Sequence, residues 1–291
     1  CVGLPEIMES EGLDRPHLSI PKSHTALIEA VSNVHSNIVV VLSNGGVVEV
    51  PWVDKVQAIV EGYLLGQASG DAIAEILYGR ANPSGKLAES FPLSLQDIPA
   101  NNHFPGEETL VEYREGLNVG YRFLDTAKKQ VRFPFGHGLS YTSFSYSEFH
   151  LKRHGDAVEC SIILKNTGNR QGQEVVQFYV HDVESTVYRP EQELQGFQKV
   201  MLEPGESQKV QITFSNDNFA VYDVGVSKWV VESGQFEIRV GSSSRDIRLL
   251  GTIEIMGAAL SEASQKSYPC PQGNDICPMD NDSFRLSYGF L

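Results

Sequence analysis

The sequence lacks any apolar run near the roughly 20 residues that a membrane-spanning helix requires; its most continuous hydrophobic stretch, Asn37-Ile-Val-Val-Val-Leu42, is far shorter. A membrane span is therefore not expected. Positive charge is also scarce: 23 Lys and Arg stand against 37 Asp and Glu, for a formal net charge of −14. Nucleic-acid binding rests on clustered Lys and Arg, and without such a cluster no nucleic-acid partner is expected. Acidic surfaces are common on hydrolases of neutral sugars, but plain solubility is the commoner reason for one. Cysteines are too few for a disulfide scaffold. Cys160 sits in an apolar strand-like run and reads as a buried thiol, while Cys270 and Cys277, in a Pro-flanked segment, could close a loop but lack the other ligands of a metal site. No Gly-x-Ser-x-Gly elbow occurs and no His pair has metal-ligand spacing, so serine-hydrolase and metalloenzyme chemistry have no footing. The glycines of Gly66-Gln-Ala-Ser-Gly70 lack the Lys-Ser/Thr ending of a phosphate cradle. No metal and no cofactor are expected.

An initiator Met and a signal-like start are missing as well. The opening Cys1-Val2-Gly3-Leu4 reads as the end of a buried strand, so the polypeptide is expected to begin upstream. Location, secreted or cytoplasmic, is left open, and the sequon Asn281-Asp-Ser283 says little in a tail of unclear status.

What is present fits two soluble globular domains: 291 residues, 41% hydrophobic and 21% charged, enough for two cores. From His24 to Tyr78 helical and strand-like patterns alternate. His24–Ser32 has helical spacing, Asn37–Leu42 is a buried strand, Ala58–Leu65 a further strand, and Asp71–Tyr78 a short helix that ends at Gly79. Gly66 and Gly70 suit a tight turn into that helix. This is the grammar of a parallel sheet, and the strand-like opening implies that further strands come from upstream, so the α/β domain is expected to be incomplete. From about Phe144 the pattern changes to seven short strands, Phe144–Leu151, Ala157–Lys165, Glu174–His181, Leu194–Leu202, Gln208–Phe214, Lys228–Glu232 and Gln235–Val240, separated by turn chemistry such as Glu203-Pro-Gly-Glu206. These predict an antiparallel sandwich of fibronectin type III kind. The fold class is α/β followed by all-β: a partial α/β sandwich (flavodoxin-like) domain over 1–100, a Gly-, Pro- and aromatic-rich connecting segment over 101–142, the β-sandwich over 143–255, and an irregular tail over 256–291 closing on the more apolar Phe284–Leu291.

Chemistry concentrates near the start. Glu6, Glu9, Glu11 and Asp14 place four carboxylates within nine residues, directly after a strand end, where α/β sites gather. Crowded negative charges raise carboxyl pKa values, which suits a general acid; on composition alone a solvated acidic loop is the commoner reading. His137, between two glycines, could move protons or be a histidine satisfied by backbone hydrogen bonds at a domain junction. Trp52, Tyr63, Tyr113, Tyr121 and Phe123, on or near strand-end loops of the first domain, are candidates for stacking on sugar faces, although most are expected in the core, and Trp229 is expected between the sheets of the sandwich.

Ser10-Glu11-Gly12-Leu13-Asp14-Arg15 resembles the Glu-Gly-x-Asp-Arg loop of glycoside hydrolase family three. The match continues through Pro51-Trp52, Gly66–Gly70, Leu77–Leu87, Gly120-Tyr-Arg-Phe123 and Phe133–Thr142, and covers residues 1–255 in order and spacing. The resemblance implies a retaining, exo-acting enzyme of the β-glucosidase type acting on a β-glucoside or short oligosaccharide, without a cofactor. It implies Glu11 as the acid/base, with Glu9 as its competitor because such loops align with slips. Asp14 and Arg15 would brace the loop through an ion pair. The nucleophilic aspartate would lie on an N-terminal (β/α)₈ barrel that this sequence does not contain, so the isolated chain is expected to be inactive. The sandwich could stabilise the enzyme, support a homodimer or extend the site; its strands do not decide which.

Overall fold

The computed structural model describes residues 1–106, 111, 113 and 115–267, in two compact units. The first comprises 1–81, 89–112 and 130–133. Its sheet holds three parallel strands in the order β1 (Val2–Gly3), β2 (Val39–Ser43) and β3 (Ala58–Glu61), with Val2 opposite Leu42 and Leu42 opposite Glu61. The β-branched run of β2 buries Val40, Val41 and Leu42 between its neighbours, as a central parallel strand must. Helix α1 (Lys22–Ser32) starts after Pro21, which cannot donate to a preceding turn, and turns Ile28 inward. Helix α2 is Ser69–Leu77. Strand β3 stops at Glu61 rather than running to Leu65, because Gly62 and the positive φ of Tyr63 (47°) break the extended backbone. The helix begins two residues before Asp71, so Gly70 lies within its first turn rather than in the loop before it. A short antiparallel pair, β4 (Phe91–Pro92) with β5 (Val131–Phe133), completes the unit.

The second unit comprises 82–88, 113–129 and the chain from Pro134 on. Among its described residues are a short helix α3 (Tyr121–Thr126) and the strands β6 (Phe144–His154), β7 (Ala157–Asn166), β8 (Gly172–Asp182), β9 (Glu193–Leu202), β10 (Ser207–Phe214), β11 (Val221–Asp223), β12 (Lys228–Val230), β13 (Gly234–Ser243) and β14 (Asp246–Ile255). Sheet β10-β7-β6 faces sheet β14-β13-β8-β9. Alternate residues point between them: Val158, Cys160, Ile162 and Leu164 from β7, Val176, Phe178 and Val180 from β8, Phe236, Ile238 and Val240 from β13. This period of two is what made the strands legible. The buried Cys160 thiol is pushed up to about 12 by desolvation.

Two strand assignments are corrected. Lys228–Glu232 is not a sandwich strand: only Lys228–Val230 is extended, in a separate hairpin with β11. The seventh sandwich strand is instead β14, an edge strand whose outward Arg248, Leu250 and Glu254 hide its pattern. Trp229 sits on the small hairpin, 69% exposed and edge-to-face with Tyr222, not between the sheets. The chain after Met256, read as irregular, includes α4 (Glu262–Ser267), tied to the hairpin because Asp223 accepts hydrogen bonds from the Ser261 and Ser264 hydroxyls. Cys270, Cys277, the Asn281 sequon and Phe284–Leu291 lie outside the described residues.

Candidate functional site

In a parallel sheet all strands end on one edge, so the loops after β1, β2 and β3 meet there. The loop after β1 carries the acidic segment. Pro5 opens a short 3-10 turn, Glu6–Met8, and a second turn follows, closed by the Leu13 amide donating to the Ser10 carbonyl over 3.2 Å. Gly12 takes φ +83° in that turn, a conformation side chains resist, which leaves Glu11 at the outer corner. Glu11 is exposed, and its carboxylate makes no hydrogen bond or ion pair with any described residue.

Both flanks of this turn are fastened to the loop after β2. Before it, Glu9 accepts a hydrogen bond from the Gly45 amide at 2.5 Å. After it, Arg15 donates through Nη1 to the Val47 carbonyl at 3.2 Å. Asp14 is exposed and forms no ion pair with Arg15; the carboxylates facing that guanidinium are Glu9 and Glu89. The brace exists, but through a backbone carbonyl and different acids. Burial pushes the guanidinium down from its usual pKa, against those two carboxylates, and its Nε and Nη2 are buried without a hydrogen-bond partner among the described residues.

Behind the turn lies a group that the sequence reading missed. Asn44, fully buried at the end of β2, donates to the Gly46 carbonyl (2.9 Å) and to Glu61 Oε2 (3.4 Å). Glu61, the last residue of β3, also accepts from the Tyr63 amide at 2.8 Å. Desolvation lifts Glu61 to about 7; hydrogen bonds from Tyr63 and Asn44 oppose the rise, and Glu89 and Glu9 add to it. Glu89 is also raised by burial, opposed by the Tyr63 hydroxyl and Arg15. Carboxyls are lifted here by burial first, on Glu61 and Glu89, with neighbouring carboxylates adding only to the rise on Glu61. Glu61 carried one usable signal, an acidic residue closing a predicted strand; Asn44 and Glu89 had none, because only the fold brings them together.

The aromatic candidates disperse. Trp52 is buried and is core. Tyr63 stands in the site behind the turn. Tyr113 is exposed. Tyr121 and Phe123 belong to α3 of the second unit, not to the first: Tyr121 stacks on Phe135 with ring centres 4.4 Å apart, its hydroxyl accepts from the Leu194 amide, and Phe123 is buried. His137 is likewise in the second unit. Its backbone pairs with Pro134 and Leu87, and burial with Lys86 nearby holds its imidazole low. Among the described residues no three His, Cys, Asp or Glu side chains gather as metal ligands, and no helix is long and apolar enough to cross a membrane.

Residues 1–141 match the glycosyl hydrolase family 3 C-terminal domain, and residues 174–244 a fibronectin type III-like domain. The chain belongs to glycosyl hydrolase family 3. Among family 3 relatives, thermostable beta-glucosidase B of Acetivibrio thermocellus is 52% identical over 87% of this chain and 34% of its own length. An exo-alpha-(1->6)-L-arabinopyranosidase of Bifidobacterium breve is 43% identical over 88% of this chain and 34% of its own. The crystal structure of a Bifidobacterium adolescentis family 3 beta-glucosidase superposes with a TM-score of 0.86 at 42% identity, covering 90% of this chain and 40% of that one. The chain thus spans about a third of the length of the curated relatives it matches, on their C-terminal part.

Proposed function

We propose that this chain forms part of a retaining, exo-acting β-glucosidase that removes terminal non-reducing β-D-glucosyl residues from β-glucosides and short oligosaccharides, with Glu11 as the acid/base. The observation that carries the reading is the contrast between neighbouring acids. Glu9 is committed to the Gly45 amide, whereas Glu11 projects from the tip of a turn whose two flanks are both anchored. A proton donor for a leaving oxygen needs that combination of a free carboxyl and a fixed base. Ile7, Leu13, Leu64 and Leu65 are exposed on the same loops, an apolar rim that fits closure by another domain; here that domain is the N-terminal barrel bearing the nucleophilic aspartate. The named beta-glucosidases among the relatives support the glucoside assignment; in this reading the choice of sugar rests with the pocket on the barrel.

In this scheme the aspartate attacks the anomeric carbon while Glu11 protonates the departing oxygen. Glu11 then takes a proton from the water that opens the glycosyl-enzyme. The two carboxyls must come within roughly 5–5.5 Å for retention. No cofactor takes part. Residues 1–100 carry the acid loop, 101–142 connect, and 143–255 form the fibronectin type III-like domain. The 291 residues alone lack the nucleophile and the sugar pocket, so they have negligible activity. The test is aryl-β-glucoside hydrolysis by the full-length hydrolase, wild type against Glu11→Gln. A loss of about 10²–10⁴-fold on a poor leaving group, partly rescued as glycosyl azide, is expected. Activity near wild type moves the acid to Glu9 or off this loop.

A second reading, a non-catalytic carbohydrate-binding module, is favoured by the exposed Trp229 beside Tyr222. It requires the isolated chain to bind a soluble β-glucan and Trp229→Ala to abolish that binding.

A further inference from the structure

The bed on which the Glu11 turn rests is the loop 44–47, and the hydrogen bonds that hold that loop converge on two residues. Glu9 grips it at the Gly45 amide and Arg15 at the Val47 carbonyl, one on each side of Glu11. The loop between these grips is shaped by Asn44, whose single side-chain amide donates both inward along the loop, to Gly46, and across to the carboxyl that closes β3. Glu61 in turn is fixed by the Tyr63 amide. Asn44 has no exposed surface and Tyr63 holds a positive φ, so neither end of this connection has slack. The Asn44 amide bridges strands β2 and β3 at the edge where the turn emerges.

We infer that Asn44 and Glu61 are positioning residues for Glu11, acting through the loop 44–47; this rests on the reading of Glu11 as the acid/base. Neither touches substrate. Removing the Asn44 amide frees the Gly46 carbonyl and leaves Glu61 with one partner fewer, and the loop then offers Glu9 and Arg15 a moving anchor. A displacement of about 1 Å at a proton donor costs on the order of 10²-fold when proton transfer is needed, and nothing when it is not.

The test uses the full-length hydrolase and two substrates, phenyl β-glucoside, whose leaving group needs a proton, and dinitrophenyl β-glucoside, whose leaving group does not. Asn44→Ala and Glu61→Ala should lower kcat/KM on the phenyl glucoside by about 10–100-fold while the dinitrophenyl glucoside stays within about 3-fold, with KM little changed. Glu61→Gln, which keeps an acceptor for the Tyr63 amide, should recover most of the loss. Glu11→Gln run alongside separates the two ideas. If it shows no dependence on the leaving group, the acid/base reading falls and the inference with it. If Glu11→Gln shows the dependence, but Asn44→Ala and Glu61→Ala lose both substrates equally or lose neither, the acid/base reading stands and the positioning role is overturned. Equal loss on both substrates is what a merely unfolded variant would give.

Discussion

Replacing Glu61 by Gln should change how the stability of the chain depends on pH, with a sign that follows from burial. The Glu61 carboxyl rises from 4.5 to about 7 on folding, chiefly because it is desolvated beside Glu89 and Glu9. A carboxyl whose folded pKa lies above its unfolded one holds its proton longer in the native state. It costs nothing below about pH 4.5, where both states are protonated, and the penalty grows as pH rises towards 7, where the native state must bury a charge. At 1.36 kcal/mol per unit the ceiling is about 3 kcal/mol, and because Glu61 keeps some solvent contact, screening reduces this to about 1–2 kcal/mol. Glu61→Gln removes the proton exchange while keeping the shape. Between pH 5 and pH 8 the variant should therefore gain about 1–2 kcal/mol relative to wild type in denaturant titrations of the 291-residue chain. Adding Glu89→Gln should flatten the profile further, since Glu89 is raised by the same burial. A gap between wild type and Glu61→Gln that stays constant over this range, or moves the other way, would refute the reasoning.

Gly136 has φ +79°, and a Cβ built there would meet Gln177 Oε1 at 2.0 Å. Gln177 donates to the Gly136 and Ser242 carbonyls and accepts from the Tyr179 hydroxyl, so Gly136→Ala should cost about 3–5 kcal/mol from backbone strain and lost buried hydrogen bonds. Thermal unfolding would check it: a melting temperature unchanged from wild type would show that the segment relaxes. The two tryptophans should separate in acrylamide quenching, with Trp229 accessible and Trp52 protected. Trp229→Phe should leave a single blue-shifted, poorly quenched emitter with stability unchanged to within about 0.5 kcal/mol, whereas Trp52→Ala should cost about 3–5 kcal/mol.

Much of the fold was written locally. Val39 to Leu42 reads as a buried strand because a central parallel strand has apolar neighbours on both faces. The alternation of Val158, Cys160, Ile162 and Leu164 announces a two-layer sandwich because side chains on a strand point alternately to opposite faces. The Ser10–Arg15 loop was equally legible, since Gly12 marks a turn wherever it stands and four acids after a strand end are visible without a fold. Edge elements were not: β14 carries charge on its outer face, and Trp229, large and apolar, gives no local sign that its hairpin stands outside the sheets. Tertiary structure alone decided which acids have raised pKa values. Desolvation depends on what packs around a carboxyl, and Glu61 and Glu89, far apart in the chain, are brought together with Asn44, Tyr63 and Arg15 only because three parallel strands end on the same edge.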